Sequence, residues 1–437
     1  MKKIYLKNLN EYLEQKICIE GFVDKIRDLQ YVQFLIVRDT TGKVQVTIEK
    51  NESNCKLNEI VSNLTTESTV KIKGTLSKNE NVKLNGMELI PNDIIVTSKS
   101  LGDLPLNYKD SKSALLDTRL NYRFLELRSE KNLLMFKVQT CLINAMRDFV
   151  VKNNFIEIHT PKLIGTASES GSEVFELKYF DRKAYLAQSP QFYKQMAISS
   201  GFDKVFEIAP AFRAENSNSY RHTTEFTAFD IEFSYIDSYE DVMNFEEDLL
   251  IAGLSAVKEK YGDEVKKIFN VDITIPSKPF PRIKLEDLYK ELEKKYNFVM
   301  NFEDVGDMNS ESEKLASKYI KETYGHEFVF ITDFSAKKRA FYHLRENGVP
   351  QGYDLIWKGC EITTGAQREH RYEILKQQAE EKGLGEDIKF YLEFFKYGCP
   401  PHGGFALGVD RLTMLLLETG SLKETMFIFR GPSRIEP

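Results

Sequence analysis

Short runs of β-branched and aromatic residues dominate the first hundred positions of the chain. They predict β-strands at residues 16–22, 32–37, 44–48, 70–74 and 94–97, and residues 55–64 have the pattern of a helix. Gly42, in the sequence Asp39-Thr40-Thr41-Gly42, can supply the positive φ of a tight hairpin between the second and third strands. Five strands with one helix are typical of a small closed barrel of the oligonucleotide-binding (OB) type. The pattern alone also fits other small all-β modules.

Beyond residue 104 the pattern changes to longer amphipathic helices that alternate with strands. We expect residues 1–104 to form the barrel, residues 105–130 a linker and residues 131–437 a larger domain. Helices are predicted at residues 132–152, 191–199 and 239–261, and strands at residues 205–212, 226–235, 328–333, 352–363 and 403–408. This alternation predicts an α+β domain with a mostly antiparallel sheet flanked by helices. The charged, proline-containing stretch at residues 262–325 is expected to be peripheral.

Composition places the chain among ordinary globular proteins. Its 437 residues carry 60 basic and 66 acidic side chains, a formal charge of −6, and 42% are hydrophobic. These values exclude collagen, coiled coil and a disordered chain. Five scattered cysteines and six histidines give no signal for a disulfide framework or a structural zinc site, and they fit a reducing cytoplasm. No apolar run approaches the ~18 residues of a membrane span, so we expect a cytoplasmic protein without a membrane partner.

A first chemical cluster lies at residues 206–215 and 225–232. Two strands joined by a loop would project Arg213 from one strand, and Phe226 and Asp230 from one face of the other. Arginine offers a fixed fork for phosphate, and phenylalanine offers a flat face for a base. The same pattern fits a surface hairpin with ordinary salt bridges.

Two further clusters lie nearer the C-terminus. Asp354 and Glu361, seven residues apart, would lie on opposite faces of a straight strand, so they meet only if the chain bends near Lys358-Gly359. If they meet, they form a hard-oxygen Mg²⁺ site that phosphate would complete; otherwise they are solvated charges. In residues 400–412, glycines allow close backbone approach to a ligand, and Arg411 would open the next helix.

These three clusters, in this order, resemble motif 2, the metal-binding strand and motif 3 of the class II aminoacyl-tRNA synthetases. Residues 155–161, which end in Pro161, resemble motif 1, the dimer-interface element. An N-terminal barrel that reads the anticodon is the layout of the aspartyl, asparaginyl and lysyl subgroup. Residues 188–195 (Gln-Ser-Pro-Gln-Phe-Tyr-Lys-Gln) resemble the aspartyl signature, and residues 168–173 resemble its substrate-closing loop. The length leaves no room for the large domain inserted in bacterial aspartyl enzymes, so the compact archaeal-type form is the nearer relative.

The resemblance implies an enzyme that activates L-aspartate with ATP and transfers it to the 3′ end of tRNA. Diphosphate would leave when the aspartyl adenylate forms, and AMP when the tRNA is charged. The α-carboxylate is already ionised at neutral pH, so activation needs positioning and charge neutralisation rather than a general base. The resemblance further implies Mg²⁺, a homodimer and tRNA-Asp as partner, and it leaves open whether tRNA-Asn is also charged.

The resemblance also assigns roles to individual residues. Arg213, Glu361 and Arg411 are expected to be catalytic. ATP binding is expected of Arg213, Glu215, Arg221, His222, Phe226, Glu361, Thr364 and Arg411, with adenine between Phe226 and Arg411, and Mg²⁺ binding is expected of Asp354 and Glu361. The side-chain carboxylate of aspartate is expected to bind Lys194 and Arg368, and its ammonium group Glu169, Gln191 and Asp230. On the barrel, the candidates for RNA contact are Phe22, Arg27, Tyr31 and Phe34, although we expect at least one of the aromatic rings to be buried in the core.

Three alternatives remain open at this point. An asparaginyl enzyme is disfavoured by Lys194, and a tRNA-independent ligase that forms asparagine is disfavoured by the barrel. A non-catalytic, tRNA-binding paralogue is disfavoured because Arg213, Asp354, Glu361, Arg368 and Arg411 are all present.

Overall fold

The computed structural model describes residues 3–165, 174–301 and 305–437. The chain divides into two compact units, Met1–Ala114 and Leu115–Pro437. Within the described residues, no helix is both long enough and apolar enough to cross a membrane.

The first unit is a closed five-stranded barrel with strand order β1-β2-β3-β5-β4, which confirms the predicted OB-type architecture. Its elements are β1 (Lys16–Asp28), β2 (Val32–Arg38), β3 (Lys43–Glu49), α1 (Cys55–Ser62), β4 (Thr69–Lys78) and β5 (Met87–Ser98). Alternate residues point inward, so that Leu35 and Val46 are fully buried. The last strand begins seven residues before its predicted start. Residues 87–93 could not be assigned to this strand from the sequence because Pro91 interrupts the β pattern. The pairing with β4 shifts register beside Pro91.

The second unit is built on an eight-stranded sheet in the order β12-β13-β16-β17-β18-β11-β10-β6. The pairs β12/β13 and β10/β6 are parallel and the other neighbours are antiparallel. The strands of this unit are β6 (Ile156–Glu157), β7 (Leu163–Ile164), β8 (Glu176–Tyr179), β9 (Arg182–Leu186), β10 (Lys204–Phe212), β11 (Glu225–Ser234), β12 (Arg282–Lys284), β13 (Phe328–Thr332), β14 (Arg345–Glu346), β15 (Val349–Pro350), β16 (Gly352–Trp357), β17 (Cys360–Gln367) and β18 (His402–Gly408). The predicted mostly antiparallel α+β domain is therefore confirmed.

Helices cover this sheet and bury the apolar side chains of one face. The helices of the unit are α2 (Leu116–Asn121), α3 (Arg123–Glu126), α4 (Glu130–Lys152), α5 (Gln191–Ser199), α6 (Tyr239–Phe269), α7 (Leu285–Tyr296), α8 (Ser310–Tyr324), α9 (Tyr372–Glu381), α10 (Lys389–Glu393), α11 (Val409–Leu416) and α12 (Leu422–Thr425). Phe229 and Ile231 of β11 share a core with residues of α4 and α6. Because side chains alternate along a strand, Asp230 and Glu232 point to the opposite face. That face carries the polar residues described below.

Two segments differ from the sequence expectation. Residues 115–130 pack into the second unit instead of forming a linker, because the buried Arg123 donates to Glu126 and to the carbonyl oxygen of Met426. The segment 262–325 starts with the end of α6, which continues to Phe269 and is closed by Asn270 in the left-handed conformation. The rest of the segment supplies the edge strand β12 and the helices α7 and α8, whose apolar faces pack on β13.

Candidate active site

The first chemical cluster forms an antiparallel pair, β10 and β11, with Arg213 just after β10. Phe226 lies opposite Ala211, and the guanidinium carbon of Arg213 is 5.4 Å from the centre of the Phe226 ring. Phe226, Ala228 and Asp230 share one face of β11, as the sequence predicted. In this structure the cation beside Phe226 is therefore Arg213.

All eight residues expected to bind ATP line a single cavity: Arg213, Glu215, Arg221, His222, Phe226, Glu361, Thr364 and Arg411. Gly408, at the end of β18, lines the same cavity, and Arg411 follows it in the first turn of α11. Nη1 of Arg411 donates to the carbonyl oxygen of Glu361 at 2.6 Å. Motifs separated by almost 200 residues thus meet at one concave surface.

Asp354 and Glu361 converge because the chain turns at Lys358-Gly359, where a bend was expected from the sequence. They lie on two neighbouring strands, β16 and β17, of one hairpin rather than on one bent strand. The hairpin turns at Lys358 and Gly359, which have φ values of 48° and 78°. Thr364 donates its single hydroxyl hydrogen between Oδ1 of Asp354, at 2.9 Å, and Oε1 of Glu361, at 3.1 Å.

This carboxylate pair has the donor chemistry for Mg²⁺, provided that phosphate and water oxygens complete the coordination. Among the described residues, no group of three or more His, Cys, Asp or Glu could hold a metal by itself. Burial raises the pKa of Asp354 to about 6, although Arg339 opposes the change. Burial acts in the same direction on Glu361, but Arg411 and Arg339 hold the pKa of that carboxyl below its usual value.

Two residues that bind charged side chains of this site were not expected from the sequence. Arg339 donates to both oxygens of Asp354. Glu313 of α8 accepts from Arg221 and from the backbone N–H of Glu361, the latter at 3.0 Å. Both lie in charged stretches, where a solvated side chain is the usual outcome, so nothing in the local sequence distinguishes them.

His222 belongs to the cavity as a neutral group. Its Nδ1 lies 2.5 Å from the hydroxyl of Ser219 and 3.2 Å from that of Ser217. Burial lowers the pKa of His222 from its ordinary value, so near neutral pH the ring can form hydrogen bonds to phosphate but adds little positive charge.

A second polar site adjoins this cavity on the same face of β11. Gln191 and Lys194 of α5 meet Asp230 and Glu232 of β11 and Arg368, which directly follows β17. Nζ of Lys194 lies 2.9 Å from Asp230 and 3.4 Å from Glu232. Nε of Arg368 donates to Glu232 at 2.9 Å, and its Nη2 donates to Gln191 at 3.3 Å. We call these five residues the polar pocket.

The polar pocket is balanced in charge, because Lys194 and Arg368, the two cations expected to bind the side-chain carboxylate, face two carboxylates. Glu232, which was not anticipated, supplies the second negative charge beside Asp230. Despite burial, Arg368 and Lys194 hold the pKa of Glu232 below its usual value. Nη1 of Arg368 is the guanidinium nitrogen that makes no hydrogen bond within the described ranges, so it is free to bind an added carboxylate.

A layer of buried side chains supports the polar pocket from behind. Gln195 accepts from Gln191 at 3.1 Å and from the hydroxyl of Tyr391 at 2.9 Å. Its amide nitrogen lies 2.9 Å from Nε2 of His402. This layer fixes the amide orientation of Gln191 from three separate elements.

The remaining predicted site residues lie elsewhere. Glu169 falls outside the described residues. On the barrel, Arg27 and Phe34 are cross-strand partners, and Tyr31 is 75% exposed. The Phe22 ring lies 4.9 Å from the guanidinium carbon of Arg38. The expectation that at least one of the three aromatic residues is in the core is wrong, because Phe22 and Phe34 alternate with the inward-facing positions and are only partly buried.

Comparisons with known proteins agree with this geometry. The family described as tRNA synthetases class II (D, K and N) matches residues 116–429, and the OB-fold nucleic acid binding domain matches residues 17–97. The aspartate–tRNA(Asp) ligase of Pyrococcus abyssi is 40% identical over 99% of each chain. The aspartate–tRNA(Asp/Asn) ligase of Methanopyrus kandleri is 39% identical over 97% of this chain and 96% of its own.

A solved structure is similar over the whole length. The asparaginyl-tRNA synthetase of Pyrococcus horikoshii, crystallised with asparaginyl-adenylate, aligns with a TM-score of 0.90 at 29% identity, covering 100% of both chains.

Proposed function

Because this chain belongs to the class II tRNA synthetases of the aspartate, lysine and asparagine group, we propose that its cavity and polar pocket together form aspartyl adenylate. The chain is an aminoacyl-tRNA synthetase, and its activity is the ATP-dependent ligation of aspartate to tRNA. The observation that carries the proposed site is the face of β11. Phe226 and Ala228 line the cavity, and Asp230 and Glu232, the next two positions on that face, line the polar pocket.

In the first step, an α-carboxylate oxygen of aspartate bonds to the α-phosphorus of ATP, and the bond from that phosphorus to the bridging oxygen of diphosphate breaks. Arg213 is suited to the α-phosphate because its charged fork reaches the cavity beside Phe226. Arg221 and the neutral His222 are suited to the outer phosphates. Asp354 and Glu361 would hold Mg²⁺, which supplies positive charge to the phosphates when bound.

Recognition of the amino acid falls to the polar pocket. The free Nη1 of Arg368 would donate to the side-chain carboxylate, and Lys194 would contribute its charge. Gln191 and Asp230 would accept from the ammonium group, a role also proposed for Glu169, which lies outside the described residues. Because Glu232 already pairs with Arg368, it holds the guanidinium in one orientation, and this orientation sets which side chain fits.

In the second step, a ribose hydroxyl of the terminal adenosine of tRNA attacks the aspartyl carbonyl carbon, and AMP leaves. The OB-fold domain supports a tRNA partner. We propose that Phe22, Arg27, Tyr31 and Phe34 contact the anticodon loop, since their side chains are on the outside of β1 and β2 or at the turn between them. Similar proteins are named both for tRNA-Asp alone and for tRNA-Asp with tRNA-Asn, so we propose tRNA-Asp as substrate and test tRNA-Asn beside it.

We also propose a homodimer. The long helix α4 precedes the motif-1 segment 155–161, and its outward side together with α6 forms an open groove of about 470 Å³. The groove is lined by Leu133, Phe136, Lys137, Thr140, Cys141, Asn144, Ala145, Asp148, Ala256, Lys260 and Tyr261. Phe136 and Tyr261 give it an apolar character that a second copy of the chain would cover.

The test is exchange of labelled diphosphate into ATP with aspartate or asparagine, followed by acylation of purified tRNA-Asp and tRNA-Asn. We expect exchange with aspartate and at least ~10⁴-fold less with asparagine, because a site that pairs a buried charge rejects the analogue lacking it. Comparable rates for asparagine would favour the asparaginyl alternative.

A variant tests the role of the carboxylate pair in the same assay. Glu361→Gln removes one charge of the proposed Mg²⁺ site, so exchange should fall by ~10²-fold or more while the circular dichroism spectrum is unchanged. Glu381→Gln, at an exposed ion pair with Arg345, is the matched control and should keep normal exchange. Near-normal exchange by Glu361→Gln at low Mg²⁺ would remove the metal role from Glu361.

A further inference from the structure

Arg339 pairs with Asp354, whose Oδ1 also accepts from the cavity residue Thr364, and the proposed function gives this arginine no role. Its Nη1 donates to Oδ1 of Asp354 at 2.7 Å, and its Nη2 donates to Oδ2 at 2.5 Å. This is a bidentate ion pair, in which one guanidinium binds both oxygens of one carboxylate. The pairing fills a place where a two-carboxylate metal site would need open oxygens.

The surroundings hold the Arg339 side chain in this orientation. Its guanidinium carbon lies 3.5 Å from the centre of the buried Phe334 ring, and the side chain is 10% exposed. Asp307 lies 3.9 Å from Nη2 as a second, weaker counter-charge. Stacking and pairing already restrict the guanidinium, so little additional side-chain entropy is lost when it remains bound to Asp354. Arg339 is therefore pre-organised on Asp354.

The hydrogen bonds leave few oxygens for a cation. Oδ1 of Asp354 accepts from Arg339 and shares the single hydroxyl hydrogen of Thr364 with Oε1 of Glu361. Oε1 of Glu361 accepts from Thr364, and Oε2 of Glu361 makes no hydrogen bond within the described residues. Mg²⁺ requires about six oxygen ligands in near-octahedral geometry, so the protein by itself offers too few. A divalent cation would also lie next to the positive charge of Arg339.

We propose that Arg339 is a positioning residue that occupies Asp354 and keeps divalent cations from binding to the nucleotide-free enzyme. The cation then enters with the nucleotide, whose phosphates supply the missing ligands and negative charge, and Asp354 becomes a ligand only when Arg339 releases it. The inference rests on the proposed function only in placing phosphate beside Glu361; its first half concerns the enzyme without ATP.

The probe is Mn²⁺, followed by the electron paramagnetic resonance signal of the free ion during titration with nucleotide-free, full-length enzyme. The wild type should show no Mn²⁺ site of sub-millimolar affinity. Arg339→Gln frees Asp354, so it should gain one site per chain that binds at least ten-fold more tightly than the wild type. The matched control is Arg345→Gln, which removes an arginine from an ion pair with the exposed Glu381 and should behave as the wild type. Adding Asp354→Asn to Arg339→Gln should abolish the gained site.

Asp354→Asn in the otherwise wild-type chain keeps the proposal testable if Arg339→Gln does not fold. Under the proposal, nucleotide-free Mn²⁺ binding is the same in this variant and in the wild type, because Arg339 already excludes the ion. A wild-type site of sub-millimolar affinity that Asp354→Asn weakens would overturn the proposal, as would a folded Arg339→Gln that gains no site. Aspartate-dependent exchange by the wild type is measured in parallel. This assay tests the proposed function independently of the Mn²⁺ titration.

Discussion

The ammonium group of Lys194 is fully buried between Asp230 and Glu232. Two carboxylates therefore depend on this one lysine and on Arg368 for their counter-charges. Breaking a buried ion pair from one side costs about 3–5 kcal/mol, because the remaining charge stays desolvated. Lys194 thus serves both the stability of the second unit and the charge of the polar pocket.

We expect Lys194→Met to lose roughly 30-fold to several thousand-fold in kcat/KM for aspartate, the equivalent of about 2–5 kcal/mol. It should also unfold at lower urea concentration, whereas the exposed Lys290→Met should do neither. Adding Asp230→Asn removes the carboxylate that loses its counter-charge and should restore part of the lost stability but not the activity. A Lys194→Met enzyme with wild-type kcat/KM for aspartate would contradict this role.

His402 gives a pH dependence whose sign follows from its burial. Nδ1 lies 2.8 Å from the carbonyl oxygen of Pro400, and burial lowers the pKa of the ring to about 4. The unfolded chain binds a proton near pH 6.5, so between about pH 6.5 and 4 the unfolded state holds more protons than the folded state. The contribution of His402 to the free energy of unfolding is complete above this window. It is lost as the pH falls through the window, and the loss is about 3 kcal/mol at most.

Urea unfolding followed by the fluorescence of Trp357, the single tryptophan of the chain, measures this effect in the second unit. We expect the urea concentration at the wild-type unfolding midpoint to decrease when the pH is lowered from about 7 to about 5. In His402→Gln this decrease should be smaller. His159→Gln, at an exposed histidine, should keep the wild-type dependence. An unchanged fall in His402→Gln would assign the pH dependence to other groups.

At the scale of elements, the approach of β18 to β11 positions both sites. Gly404 pairs with Glu232, and a Cβ atom at Gly404 would lie 2.1 Å from the carbonyl oxygen of Ile231. The carbonyl oxygen of Gly404 also accepts from Arg368 at 3.0 Å. Because Gly404 has no side chain, β18 can approach β11 closely and its carbonyl oxygen can also orient Arg368.

Gly404→Ala should force the two strands apart and destabilise the second unit by about 1–3 kcal/mol, as overpacking does in other cores. It should also raise KM for aspartate more than KM for ATP, because the added Cβ would meet the Glu232 carboxylate and the Gly404 carbonyl oxygen binds Arg368, both of the polar pocket. Gly385→Ala is the control, since its Cβ would meet no atom within 4 Å. Equal Trp357 unfolding midpoints for the two variants would contradict the packing argument.

At the scale of the whole molecule, the open groove on α4 and α6 predicts that two copies associate. Sedimentation at micromolar concentration should give a mass near twice 50.6 kDa. Ala145→Arg, within the groove, should shift the equilibrium towards the monomer because it would place a charge in the proposed interface. A wild-type monomer at this concentration would exclude the dimer and the motif-1 role of residues 155–161.

The sequence by itself determined the features that depend on local pattern. Strands with alternating burial predicted the barrel, since inward and outward positions repeat every two residues. Arg213 and Phe226 could be selected because their residue types suit a phosphate and a base, and Glu361 because a carboxylate suits Mg²⁺, whereas the role of Arg411 came from the resemblance to class II synthetases. The structure then brought these residues to one cavity.

The tertiary structure alone decided which charges face one another. Asp230 and Glu232 neutralise Lys194 and Arg368, Glu313 binds Arg221, and Arg339 binds Asp354. Arg221 and Glu313 are separated by 92 residues, and in the sequence each charge resembles a solvated one. The hairpin turn at Lys358 likewise required a positive φ that its residue type does not favour. Burial makes these pairings strong because an unpaired charge is costly away from water, and burial is set by how distant segments pack rather than by local sequence.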